Sequence, residues 1–200
     1  KRYAEGPSVR VSMVWNGHWD TMGKYLGLAT YRNTSYLKRI SQAFEGGRPD
    51  MLVIHSGMHD LRSSFTDQEI LANLDHALTV WQNMSRSVAT PFVWRTAAAW
   101  AGDLRPPQLN TRLARMTSRQ LQAISKADVF SSVLPFFDLS WPWHWDYSCS
   151  DGMHYGLTGM RKELNMKKFG HSEEYRTFVD RMLGVMILNL MCSDQRQEQR

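Results

Sequence analysis

Asp151 and His154 stand three apart in Ser150-Asp151-Gly152-Met153-His154, so one tight turn can set the carboxylate beside the imidazole. A buried carboxylate there would hold the imidazole in one tautomer and support the imidazolium formed when histidine takes a proton. Such a histidine is a general base for a hydroxyl nucleophile. Two more polar groups follow apolar runs: Gly57-Met58-His59-Asp60 after Met51 to His55, and Asn16-Gly17-His18 after Val9 to Trp15. Ligands of open α/β sheets bind beyond the carboxyl ends of strands, where all three groups would fall. Each also has a plainer reading. Asp151/His154 can be a hydrogen-bonded loop pair, and Asp60 can cap backbone groups at a strand-end turn. His18 and Asp20 can be solvated loop residues, and His55 a satisfied core histidine. A metal site from His55, His59 and His154 has no His-x-x-x-His helix behind it, and none is expected.

The elements around these residues must position them. Val9-Arg10-Val11-Ser12-Met13-Val14-Trp15 alternates and ends at Asn16-Gly17, which predicts a strand entering a turn. Tyr36, Leu37, Ile40 and Phe44 recur at helical spacing within 34–45, closed by Gly46-Gly47. Met51-Leu52-Val53-Ile54-His55 has the profile of a buried parallel strand. Thr66 with Glu69 is a capping box, and Ile70, Leu71, Leu74, Leu78 and Trp81 stripe the helix behind it. Thr90 to Thr96 predicts a strand, with Pro91 where no ladder donor is needed. A loop with Gly102 and Pro106-Pro107 leads to a helix over 108–125 and a strand from Ala127 to Val133. Residues 134–160 read as an aromatic loop. The last helix runs from about Glu173 to Cys192, and its wide apolar stripe predicts docking on the sheet. Strands alternate with helices, so the class is α/β with a parallel sheet. Residues 1–200 read as one domain, with its core in 8–192 and a frayed polar tail over 193–200.

The series strand–Gly, strand–Gly-x-His-Asp and late Asp-x-x-His resembles the SGNH/GDSL hydrolase superfamily. More narrowly, it resembles the PC-esterase branch of polysaccharide O-acetyltransferases and related esterases. Arg48 to Leu61, Ser150 to Tyr155 and Phe178 to Cys192 carry the likeness. It implies a three-layer, flavodoxin-like parallel sheet flanked by helices, and ester hydrolysis or O-acyl transfer on glycans through an acyl-serine. At the matching positions His154 would be the base and Asp151 its orienting partner. The Gly17 N–H and His59 would donate to the oxyanion, His59 standing where many members have asparagine, with Gly57 and Asp60 in support. The nucleophile departs from the pattern, because no Gly-Asp-Ser occurs in the 200 residues. Glu5-Gly6-Pro7-Ser8 is no substitute: it precedes the second-block strand, and Pro7 lacks a backbone donor. The chain opens Lys1-Arg2-Tyr3, with neither initiator methionine nor signal segment. A sheet lacking its first, central strand would expose two edges. The expectation is therefore an upstream segment of the same polypeptide, or a protein partner, that completes the sheet and brings the serine. The alternative is a catalytically inactive SGNH-like domain that serves as a structural or glycan- or protein-binding subunit.

Composition sets the remaining limits. At 42% hydrophobic and 22% charged, the chain can bury a sizeable core, which excludes wholesale disorder. The net charge of +5 is scattered, which argues against nucleic acid. The longest uncharged run, Met182 to Ser193, falls short of the roughly 18 apolar residues of a membrane span. In an extended segment Trp141, Trp143 and Trp145 would project to one side and could stack on sugar rings; cover for a sheet edge is the plainer alternative. Cys149 and Cys192 cannot form a disulfide scaffold or a cysteine-only zinc site. A bridge between them would pin the Asp-x-x-His loop to the last helix and mark an oxidising compartment. With the acceptor patterns at Asn33 and Asn83, this points to the secretory pathway or the extracellular space. The expected partner is a glycan or other acylated substrate, with no cofactor.

Overall fold

Three short apolar runs meet as a parallel sheet, and the helices that connect them supply most of the core. The computed structural model describes residues 11–14, 26–45, 47–62, 65–101, 108–145, 155 and 178–197. In chain order, a 3-10 helix Gly27–Arg32 leads into α1 (Thr34–Ala43) and β1 (Leu52–His55). Then come α2 (Met58–Arg62), α3 (Asp67–Ser87), β2 (Phe92–Arg95), α4 (Gln108–Ala127) and β3 (Ser132–Leu134). After β3 lie α5 (Phe136–Ser140), a 3-10 turn Trp141–Trp143 and α6 (Phe178–Gln197). Among the described residues the chain is thus mixed α/β, mostly helical, with a three-stranded parallel sheet ordered β1-β2-β3.

Both strand pairs are parallel, with Leu52 opposite Phe92, His55 opposite Arg95, and Arg95 opposite Leu134. The strands advance one way without reversal, so right-handed crossovers put α3 and α4 on the same face. The packing agrees. Ile54, Phe92 and Trp94 from the sheet share one core with Ile70, Leu74 and Trp81 of α3 and Leu113 and Met116 of α4. Trp81 is its hub, its ring centroid 5.1 Å from Tyr31, 5.6 Å from Trp94 and 5.5 Å from Phe130. Strand alternation sends Val53, His55, Val93 and Arg95 to the opposite face.

Local chemistry explains the helix starts. The Thr66 N–H donates to Glu69 Oε2 at 2.7 Å, and the Glu69 N–H donates back to Thr66 Oγ1 at 3.2 Å, completing the expected capping box. Asn33 caps α1 by accepting from the Ser35 and Tyr36 amides. Arg112 ties α4 to the start of α3, donating to Asp67 at 2.9 Å and to the Phe65 carbonyl at 2.9 Å.

Several expectations need correction. Residues 11–14, the described part of the expected Val9–Trp15 strand, form no strand. Val11 and Met13 are 87% and 80% exposed, because no strand among the described residues lies beside them to pair with. Ala127 ends α4 rather than opening a strand. Asp128 then takes φ +47, turning the chain so that β3 begins only at Ser132. The expected loop over 134–160 is helical in its first third, through α5 and the Trp141–Trp143 turn. α6 docks mainly by its first turns: Val179 is buried, with Met182 and Leu183 against it, while Val185 and Leu188 face outward. Among the described residues, no helix is long and apolar enough to cross a membrane.

Trp81→Ala should lower stability by about 3–5 kcal/mol, as expected for a large ring removed from a packed core. Urea unfolding followed by circular dichroism measures this, and Val133→Ala, at a partly exposed edge, should shift the midpoint far less.

Candidate functional site

β1 ends in a tightly built corner. Gly57 has φ +138, and a Cβ there would meet the Ala97 Cβ at 3.1 Å, so glycine is required both by conformation and by space. Asp60, fully buried, sits one helical turn further on. Its Oδ1 accepts from the Leu28 N–H at 2.7 Å, and its Oδ2 from the Ser56 hydroxyl at 2.8 Å. Burial pushes the Asp60 carboxyl above the ordinary range, against the lowering effect of those donors. Gly27 closes the latch. It has φ +51, and a Cβ there would fall 2.5 Å from the Asp60 carboxylate. Asp60 thus has the backbone-capping role of the plainer reading, extended from its own turn to the 3-10 helix.

His55, His59 and Arg95 gather at the same end of the sheet. His55 Nδ1 lies 3.3 Å from the Arg95 carbonyl oxygen, the bond of a satisfied strand histidine. Its pKa is pushed down to about 3, first by burial and then by the Arg95 charge, so the ring is neutral at ordinary pH. His59, half-buried on α2, is near enough to His55 to contribute to that lowering. Arg95 closes the central strand with its guanidinium 4.9 Å from the Phe136 ring centroid. Burial pushes it down to about 10, still charged at neutral pH, while Asp180 of α6 works in the opposite direction. The sequence reading did not single out Arg95. The signal was there, a lone charge ending the apolar run Phe92-Val93-Trp94.

The segment after β2 is buried although it has no regular structure, because side chains satisfy its backbone. The Ala99 N–H donates to Ser140 Oγ at 2.9 Å, and Asn110 holds the Trp100 N–H at 2.7 Å and its carbonyl at 3.0 Å. Tyr155 joins this assembly. Its ring packs with Ala98, Ala101, Phe136 and Val179, and its hydroxyl donates to the Ser140 carbonyl at 3.0 Å.

The tryptophans do not line up on one side, because the segment is helical rather than extended. Trp141 stacks on Phe137 (5.5 Å) and on His144 (4.1 Å), whereas Trp143 packs edge-on against Phe178 of α6 at 4.9 Å. Trp145, 62% exposed, has the most open ring of the three. Cys192 is an exposed free thiol near the end of α6. Gly17, Asp151, His154 and Cys149 lie outside the described residues, as do His18 and Asp20. Among the sequence-derived site residues, the structure therefore brings together Gly57, His59 and Asp60. An open groove of about 500 Å³ between α4 and α5, lined by residues including Thr117, Gln122, Phe137 and Asp138, contains none of them. Among the described residues, no group of three His, Cys, Asp or Glu side chains is arranged to hold a metal ion.

In comparisons with known proteins, no family model, curated protein or solved structure matches the chain.

Gly27→Ala should destabilise the fold by at least about 1–3 kcal/mol from backbone conformation alone, with the clash against Asp60 added. Thermal unfolding of the variant measures this. His55 has a folded pKa below its unfolded value of about 6.5, so its stabilising effect is complete above that pH and is lost as pH falls toward about 3. In His55→Gln, the urea midpoint should therefore fall less between pH 6.5 and pH 4 than in the parent; equal slopes would contradict the neutral buried histidine.

Proposed function

We propose that the chain is the greater part of an SGNH-type domain of the PC-esterase kind, which hydrolyses or transfers O-acyl groups on glycans. The observation that carries this reading is the Gly57-x-His59-Asp60 corner at the carboxyl end of a parallel strand, with its glycine at positive φ and its aspartate buried. Tyr155 adds support: the residue next to His154 packs against Ala98 and Phe136, just beyond the ends of β2 and β3. In the proposed mechanism a serine upstream of Lys1 attacks the acyl carbonyl. His154 takes its proton and Asp151 steadies the imidazolium. The Gly17 N–H and the His59 ring donate to the oxyanion. Collapse of the tetrahedral species expels the sugar hydroxyl, protonated by His154, and leaves an acyl-serine. Water or an acceptor sugar then repeats the steps in reverse. The three-layer architecture belongs to this proposal, since α3 and α4 account for one face of the sheet only.

The second reading is a non-catalytic SGNH-like subunit that binds glycan or protein. One experiment separates the two. The full-length polypeptide is treated with a serine-directed fluorophosphonate and assayed on an acetylated oligosaccharide. The enzyme reading expects one labelled serine and turnover that falls by about 10⁴ in Asp151→Asn. His59→Ala should lose about 10²–10³ in rate, while His59→Asn, which keeps a donor, should lose much less. Glycan binding without labelling or turnover selects the second reading.

A further inference from the structure

The groove between α4 and α5 lies outside the Gly57–Asp60 corner and takes no part in the chemistry proposed above. Its volume of about 500 Å³ falls within the roughly 300–1,000 Å³ of small-molecule sites. Ala114, Leu121 and Phe137 give it an apolar wall, and Thr117, Ser118 and Asp138 are among its polar groups. The wall is fixed from behind. The Phe137 N–H donates to Thr96 Oγ1 at 2.8 Å, and the Phe137 ring stacks on Trp141 at 5.5 Å. Two of the polar groups lack the structural task usual for their position. Asp138 is the third residue of α5, from which the carboxylate of a capping box reaches back to the N-cap amide. Here the N-cap is Pro135, which has no N–H. Among the described residues Asp138 makes no hydrogen bond or ion pair; the ion pairs there all involve Asp67. Thr117 is only 6% exposed, yet its hydroxyl has no hydrogen-bond partner. It forgoes even the carbonyl one turn back that helical threonines use.

We propose that this groove binds a small organic ammonium ion with an apolar body, of the arylalkylamine class. Charge complementarity selects the cation. Asp138 is the one charged side chain among the described residues that line the groove, and no lysine or arginine there neutralises it. The ammonium group pairs with Asp138 while its hydrocarbon rests on Leu121 and Phe137. A further N–H of the same group supplies the partner that the Thr117 hydroxyl lacks. An anion of the same shape is repelled by the carboxylate, and a neutral alcohol keeps the apolar contact but loses the ion pair. The site is independent of the O-acyl reading, because it belongs to α4 and α5 and includes none of Gly57, His59 and Asp60.

The test is titration of the full-length polypeptide with 2-phenylethylammonium, 2-phenylethanol and 3-phenylpropanoate, followed by amide NMR. The expected result is saturable shifts at the amides of α4 and α5, with the ammonium bound about fivefold more tightly than the alcohol. The factor is modest because Asp138 is exposed to water. The carboxylate ligand should bind more weakly than either. Asp138→Asn should abolish the preference for the ammonium over the alcohol, and Thr117→Val should weaken the ammonium about fivefold. Ser118→Trp, at an exposed position on the groove, should fill it and abolish binding without disturbing the core, which keeps the proposal testable if Thr117→Val fails to fold. Equal binding of ammonium and alcohol by the parent protein, or shifts that persist in Ser118→Trp, overturns the proposal. So does a preference unchanged in Asp138→Asn.

Discussion

The buried carboxylate of Asp60 is the contact on which the candidate site depends. It joins segments that the chain separates by some thirty residues: the 3-10 helix at Leu28 and the turn leaving β1 at Ser56. Removing a carboxylate from water is unfavourable, and only well-aimed donors offset the cost. Those donors are present, and both neighbouring glycines give way to the carboxylate or to the turn that carries it. Gly27 leaves room for the carboxylate itself, and Gly57 lets β1 turn sharply against Ala97. His59 sits one residue from this anchor, so its place at the sheet end is set by a buried hydrogen-bond network rather than by a surface loop.

The sheet is built from one side. Sequential parallel strands with right-handed crossovers put α3 and α4 on the same face, and the aromatic cluster around Trp81 fills that layer. The other face has a different character, with His55 and Arg95 next to each other at its carboxyl end. Beyond that end, the buried run Ala97 to Ala101 is held by Asn110 and Ser140. Small side chains matter here, because a bulky residue at Ala97 would collide with the Gly57 turn.

Parts of this arrangement were legible from the residues alone. The capping box at Thr66 and Glu69 is local chemistry, settled within four positions, and it formed as read. The strands at Leu52 and Phe92 announced themselves as short apolar runs, and their parallel pairing follows from the helix between them. Other parts were not legible. Alternation over Val9 to Trp15 describes a ribbon that could pair, but pairing needs a neighbour, and Val11 and Met13 stand exposed without one among the described residues. The alternating tryptophans suggested an extended segment. In the fold, Pro135 is followed by helical turns, and the 3-10 turn at Trp141–Trp143, with about three residues per turn, sends Trp141 and Trp143 to different partners.

What the sequence by itself determined was the order and type of the main elements, the parallel α/β class, and the capping box at Thr66, because hydrophobic period and caps act over a few residues. Only the tertiary structure decided which polar groups are buried and what they meet. Asp60 reads as a local cap in sequence, yet it is a long-range latch to Leu28. Arg95 reads as the end of a strand, yet it is a guanidinium facing no acid within bonding distance among the described residues. Burial and electrostatic partnership depend on which distant segments arrive at the same place, and no local pattern encodes that meeting.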